Sequence, residues 1–152
     1  MKKVTLLIIV IATIFLIPYN GNAQCKNFAK KLVSVDLIPY VHDGIYNATE
    51  LQEGETAELF KTFYSGQDYR LIISGDGGLV VGFEVLDTDR NVLFSNKTNK
   101  YAKSWDFKLE SSQQLIIALQ VQTTDEITKD FQKGCVAVLV GFLTDDAKAK
   151  KK

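Results

Sequence analysis

The chain is poor in the residue types that most hydrolases and metalloproteins work with. Its 152 residues hold one histidine, His42, two cysteines, Cys25 and Cys135, one tryptophan and one methionine. A serine or cysteine nucleophile needs a base, usually histidine. His42 lies in His42-Asp43-Gly44, a turn, with no Gly-x-Ser-x-Gly elbow to accompany it, and reads as an exposed turn histidine. Two cysteines and one distant histidine fall short of the four ligands of a closed zinc site. Net charge is also missing, with 18 basic against 18 acidic residues. Nucleic acid demands a basic face that releases counterions, so that partner is excluded.

Long apolar runs are scarce too. The one present is Val4 to Ile17, preceded by Lys2-Lys3 and followed by Pro18-Tyr19-Asn20-Gly21-Asn22-Ala23. A basic start, an apolar stretch and a small-x-small site form a secretory signal. The stretch is shorter than the roughly 20 residues of a spanning helix. Cleavage is expected after Ala23, so residues 1–23 are signal peptide and Gln24 begins the mature chain. No membrane span is expected after that cut. Loss of Lys2 and Lys3 leaves 16 basic against 18 acidic residues. The end, 145–152, reads as a lysine-rich flexible tail, and 24–144 as one domain.

Both cysteines lie in that domain. An even count in an exported chain favours a disulfide, here with one possible connectivity, Cys25–Cys135. The remainder shows period-2 alternation. Glu58 to Tyr64, Tyr69 to Ile73, Leu79 to Val85, Val92 to Phe94, Trp105 to Leu109, Leu115 to Val121 and Cys135 to Leu143 read as strands, with a weaker one near Ile45–Leu51. Pro39 confines Leu37–Val41 to an edge or connector. About eight short strands with turn signals between them predict an all-β, antiparallel sandwich of the jelly-roll kind. Cys25 to Leu32 reads as a short helical or extended segment of one or two turns. In the last strand Cys135 is in phase with Ala137 and Leu139, opposite Val136, Val138, Val140 and Phe142. The bridged segment should therefore lie across that second face, or past the strand's end, rather than inside the main core.

Phe63-Tyr64-Ser65-Gly66-Gln67-Asp68-Tyr69-Arg70-Leu71-Ile72, with Gly82 to Asp87 and Asn91-Val92-Leu93-Phe94, resembles a layout of small exported bacterial β-sandwich proteins and pre-peptidase C-terminal domains. The resemblance implies an accessory, non-catalytic domain and carries no site residues.

Each candidate for chemistry has a structural counterpart. Asp87-x-Asp89-x-Asn91 has calcium-loop spacing, but Val92 and Thr98 hold the positions for glycine and the last acid, so a hairpin turn is expected. Glu50, Glu53, Glu55 and Glu58 read as an edge-protecting acidic stretch, although paired carboxylates run glycoside hydrolysis elsewhere. Tyr46, Tyr64, Tyr69, Tyr101 and Trp105 are the candidate ligand-binding residues, an aromatic platform for sugar rings or peptide. Trp105, in phase with Phe107, is also expected in the core. Asn47-Ala48-Thr49 and Asn96-Lys97-Thr98 match glycan-acceptor sequons. No catalytic residue, metal ligand or cofactor is assigned. The expected function is an exported non-catalytic binding or assembly module of the bacterial envelope, periplasmic or extracellular, with a protein or glycan partner. The alternative is a small secreted hydrolase using paired carboxylates on glycans.

Overall fold

The computed structural model describes residues 21–123 and 132–144. The basic start and apolar run of the expected signal, and the lysine-rich tail, lie outside the described residues. Among these are one α-helix, α1 (Gly21–Asp36), and nine strands: β1 (Val41–His42), β2 (Asn47–Gln52), β3 (Thr56–Phe63), β4 (Asp68–Gly75), β5 (Val81–Leu86), β6 (Val92–Ser95), β7 (Ser104–Lys108), β8 (Gln113–Val121) and β9 (Lys133–Phe142). The first sheet is ordered β2-β9-β4-β7, with β1 also on β9; the second is β3-β8-β5-β6. Strands β2 with β9, β3 with β8, β4 with β7 and β5 with β6 pair antiparallel. A long hairpin centred on the Asp87–Asn91 turn has been folded over on itself, which is the jelly-roll solution to burying two apolar faces. The ninth strand, β1, is a two-residue bridge where sequence placed a connector.

The core follows the alternation. Tyr69, Leu71 and Ile73 of β4 face Val81, Phe83 and Val85 of β5, with Leu115, Ile117 and Val121 of β8 and Val136, Val138 and Val140 of β9 around them. Fully burying one such side chain contributes about 1.5–3 kcal/mol. The two open sides of the sandwich are closed differently. Between β6 and β7 the rings of Phe94, Trp105 and Phe107 stack at 4.6 and 4.3 Å. On the other side, between β2 and β3, Lys61 Nζ from one sheet lies 2.6 Å from Asp43 Oδ2, beside the other.

The helix covers the second face of the first sheet. Ala29, Leu37 and Tyr40 pack on Ile72, Ala137, Leu139 and Leu143. The Cys25–Cys135 bridge joins α1 to the start of β9, Cα to Cα 5.0 Å. The face anticipated from the phase of Cys135 is the one the helix occupies. Its 16 residues exceed the one or two turns expected. Helices of this length owe their stability mostly to tertiary packing, and here the sheet supplies it. Beyond α1, Arg70 forms a bidentate pair with Asp106, both contacts 2.7 Å, and donates to Ile38 O at 3.1 Å. Tyr40 donates to the same carboxylate and lies under the guanidinium. These bonds hold the end of the helical segment to β4 and β7.

His42 is not exposed. Its side chain is 9% accessible, its ring lies 4.5 Å from Tyr46, and Nδ1 accepts the Gly44 amide at 3.2 Å. His42 itself ends β1, the chain turns after it with Gly44 at φ 87°, and the imidazole packs on Tyr46 rather than in solvent.

Candidate functional site

The outer face of the second sheet carries a groove, and Gly82 is its floor. Val81, Phe83 and Val85 point into the core, so Gly82 and Glu84 point out. Pairing sets their neighbours: Gly82 opposes Gln120, and Glu84 opposes Ala118, which opposes Glu58 across β8. Glycine and alanine leave a depression of about 260 Å³ flanked by Glu58, Glu84, Gln120 and Lys97. A Cβ on Gly82 would sit 2.7 Å from Gln122 Nε2, 3.3 Å from Lys97 Cε and 3.4 Å from Tyr101 Cε1. Only glycine allows these three side chains to lie across the strand. Tyr101 and Gln122 also line an adjoining depression of about 340 Å³.

The wall is a loop held by Asn96. After β6 the chain makes a single 3-10 turn, Asn96–Asn99, and then Lys100 and Tyr101 adopt left-handed backbone angles, φ 49° and 55°. Left-handed angles at non-glycine residues cost energy and persist where surroundings over-determine them. Asn96, 0% exposed, does this. Its Oδ1 accepts the Phe83 amide at 2.7 Å, and its Nδ2 donates to Val81 O at 3.0 Å and Ala102 O at 3.1 Å. Its own carbonyl accepts the Tyr101 amide at 3.0 Å. The second sequon thus begins on a side chain buried and bonded within the fold.

Polar groups of the groove are linked to one another. Tyr101 donates to Gln122 Oε1 at 3.2 Å, Gln122 Nε2 donates to Gln120 O at 3.2 Å, and Lys97 donates to Gln120 Oε1 at 3.4 Å. Lys97 Nζ also lies 3.9 Å from Glu84. Glu58 takes both Arg90 nitrogens, at 2.9 and 3.1 Å. Hydrogen bonds from Arg90 hold the Glu58 carboxyl below its usual range and raise the guanidinium in turn.

The five candidate aromatics do not meet in one platform. Tyr69 is buried, edge-on to Phe63, and its hydroxyl accepts the Tyr64 amide at 3.0 Å. Trp105 is half-buried in the aromatic stack, as its phase with Phe107 implied. Tyr46 packs beside His42 against the helix layer. Tyr64, 66% exposed, adjoins the β3–β4 turn. Tyr101 alone, 36% exposed, borders the groove, its ring beside Gly82 and lining the adjoining depression.

The acidic stretch does not converge either. Glu50 pairs with Lys133 at 3.1 Å, Glu55 accepts the Gln52 amide in the β2–β3 turn, and Glu58 faces the groove. In the Asp87–Asn91 hairpin turn both Asp87 oxygens accept from Asn91, at 2.8 and 2.9 Å. These bonds depress the Asp87 pKa, the side-chain one most.

Sequence reasoning missed Gly82, Asn96, Lys97, Gln120 and Gln122. One signal was there: a lone glycine inside an apolar strand marks a close approach by other groups.

Among solved structures the chain is similar to PliG of Aeromonas hydrophila, a periplasmic lysozyme inhibitor of g-type lysozyme. The TM-score is 0.46 and the identity 14%, over 64% of this chain and 84% of that one. A likeness of that degree transfers no binding partner. No protein-family model and no curated protein matches the chain. The resemblance to pre-peptidase C-terminal domains therefore rests on its hairpin residues alone.

Proposed function

We propose that the chain is an exported, non-catalytic binding module of the bacterial envelope, periplasmic or extracellular, whose ligand lies in the groove over Gly82. The supporting observation is the Asn96-held loop, which keeps two consecutive left-handed residues in place to present Tyr101 and Lys97 beside Gln120 and Gln122. Strain maintained by buried hydrogen bonds, next to an open depression, is how binding surfaces are preorganised. Export is supported by the tripartite pattern of residues 1–23 and by the Cys25–Cys135 bridge.

A hydrolase reading has one observation in its favour: Glu58 and Glu84 flank the groove in one cross-strand row. Their backbones are two strand spacings, about 10 Å, apart. Glycoside hydrolysis needs one carboxyl with a raised pKa as the acid. Glu58, bonded twice to Arg90, is not free to serve as that acid, which leaves Glu84 as the other carboxyl of the row.

One experiment separates the two. Isotope-labelled protein is mixed with soluble envelope extract while amide resonances and reducing ends are followed together. Perturbed amides at Gly82, Tyr101 and Gln122 without new reducing ends support the binding module. Reducing ends that accumulate, and stop accumulating in Glu84→Gln, support the hydrolase.

A further inference from the structure

We infer that the groove takes an uncharged glycan, with a pyranose ring on Tyr101 and hydroxyls on the carboxamides of Gln120 and Gln122. This rests on the groove being the ligand surface.

Its position on the sheet is the first argument. The groove is centred on β8 and β5, each paired on both sides, and only its margin reaches the face of the edge strand β3. A peptide that adds a strand needs a free edge. A ligand on this face must be recognised by side chains alone, and flat polar rings suit that better than an extended backbone.

The charges are the second. Glu58 is bonded twice to Arg90, and Lys97 lies between Glu84 and Gln120. Glu58, Glu84 and Lys97, the charges that line the depression over Gly82, each lie within 4 Å of an opposite charge. A charged ligand would have to displace one of these partners, whereas a neutral polyol displaces none.

Hydrogen-bonding capacity is the third. A carboxamide offers two N–H donors and two acceptor lone pairs. Among the described residues Gln122 uses one donor and one acceptor, and Gln120 accepts from Lys97 with its side-chain oxygen. Donors and lone pairs remain on both, side by side, a set matched to alcohols that donate and accept at once. Tyr101 supplies the ring face, and the depression of about 340 Å³ that it lines together with Gln122 gives a sugar room beside it.

The test is a titration of labelled full-length secreted protein with cellotetraose, maltotetraose, tetra-N-acetylchitotetraose and tetragalacturonate, read by amide chemical shifts. The expected result is that at least one neutral tetrasaccharide moves Gly82, Tyr101 and Gln122, and that tetragalacturonate binds more weakly. Tyr101→Asn should weaken that binding about tenfold, since it removes the ring but keeps a residue that tolerates left-handed angles. Gln122→Ala should weaken it as well, so the result does not hang on one variant. Tighter binding of tetragalacturonate would overturn the uncharged ligand. Silence from all four, with envelope protein shifting the same amides, would overturn the glycan and leave the groove standing. Sugar-induced shifts confined to other faces would overturn both.

Discussion

Asn96 and Phe83 are joined by a hydrogen bond of 2.7 Å from the Phe83 amide to Asn96 Oδ1, both groups buried. Through it the loop bearing Tyr101 is fastened to the middle of β5. Asn96→Ala removes this acceptor and both carboxamide donors, leaving Phe83 N–H, Val81 O and Ala102 O without that partner. Unpaired buried groups cost about 1–3 kcal/mol each. A total loss of about 2–4 kcal/mol is expected, measured by urea unfolding, with faster hydrogen exchange at Tyr101 and Ala102. A stability change within error would show that the clamp contributes nothing.

Removing the bridge with Cys25→Ala and Cys135→Ala together should cost about 2–5 kcal/mol, because the cross-link closes a long loop. The helix should loosen before the sheets do. Hydrogen exchange on the double variant reads this directly: amides of 25–36 exchange early while those of β8 and β9 stay protected. Uniform loosening would leave the bridge in place but reject its role as a tether.

The strands, the face of β9 that receives the helix and the Asp87–Asn91 hairpin were legible because alternation and turn chemistry are local. Cys135, Ala137 and Leu139 share a phase, and of the two placements it allowed, across that face or past the strand's end, α1 takes the first. The extent of α1 was not legible, since its outer residues gain order from Ile72 and Leu139, far away in sequence. Tyr69 illustrates the same limit. Its strand phase was clear, but that its hydroxyl is satisfied by the Tyr64 amide depends on the fold of the intervening turn. The groove draws on β3, β5, β8 and the loop after β6, so no window of sequence contains it.

Acid should weaken the hairpin strap. Glu58 and Asp87 have folded-state pKa values below their ordinary 4.5 and 3.8, the first through Arg90 and the second through Asn91. A depressed carboxyl contributes stability that is complete above its ordinary value and disappears as pH falls through the folded one. Urea midpoints should therefore hold level above about pH 5 and decline below it. Glu58→Gln should make that decline shallower. A slope identical to that of the unaltered protein would remove Glu58 from the explanation.

Cleavage after Ala23 is expected to leave a mature protein that begins at Gln24, immediately before the bridged Cys25. Intact-mass and N-terminal analysis of protein from its own host reads this. A chain retaining Met1, or a diacylglyceryl group on Cys25, would contradict it.

The central claim, that the ligand surface is the groove over Gly82, is tested most directly by photo-crosslinking in the native host. A benzophenone side chain is placed at Tyr101 in one variant and at the more exposed Tyr64 in another. The account predicts a discrete adduct from position 101 and none from position 64. An adduct from position 64 alone would contradict it.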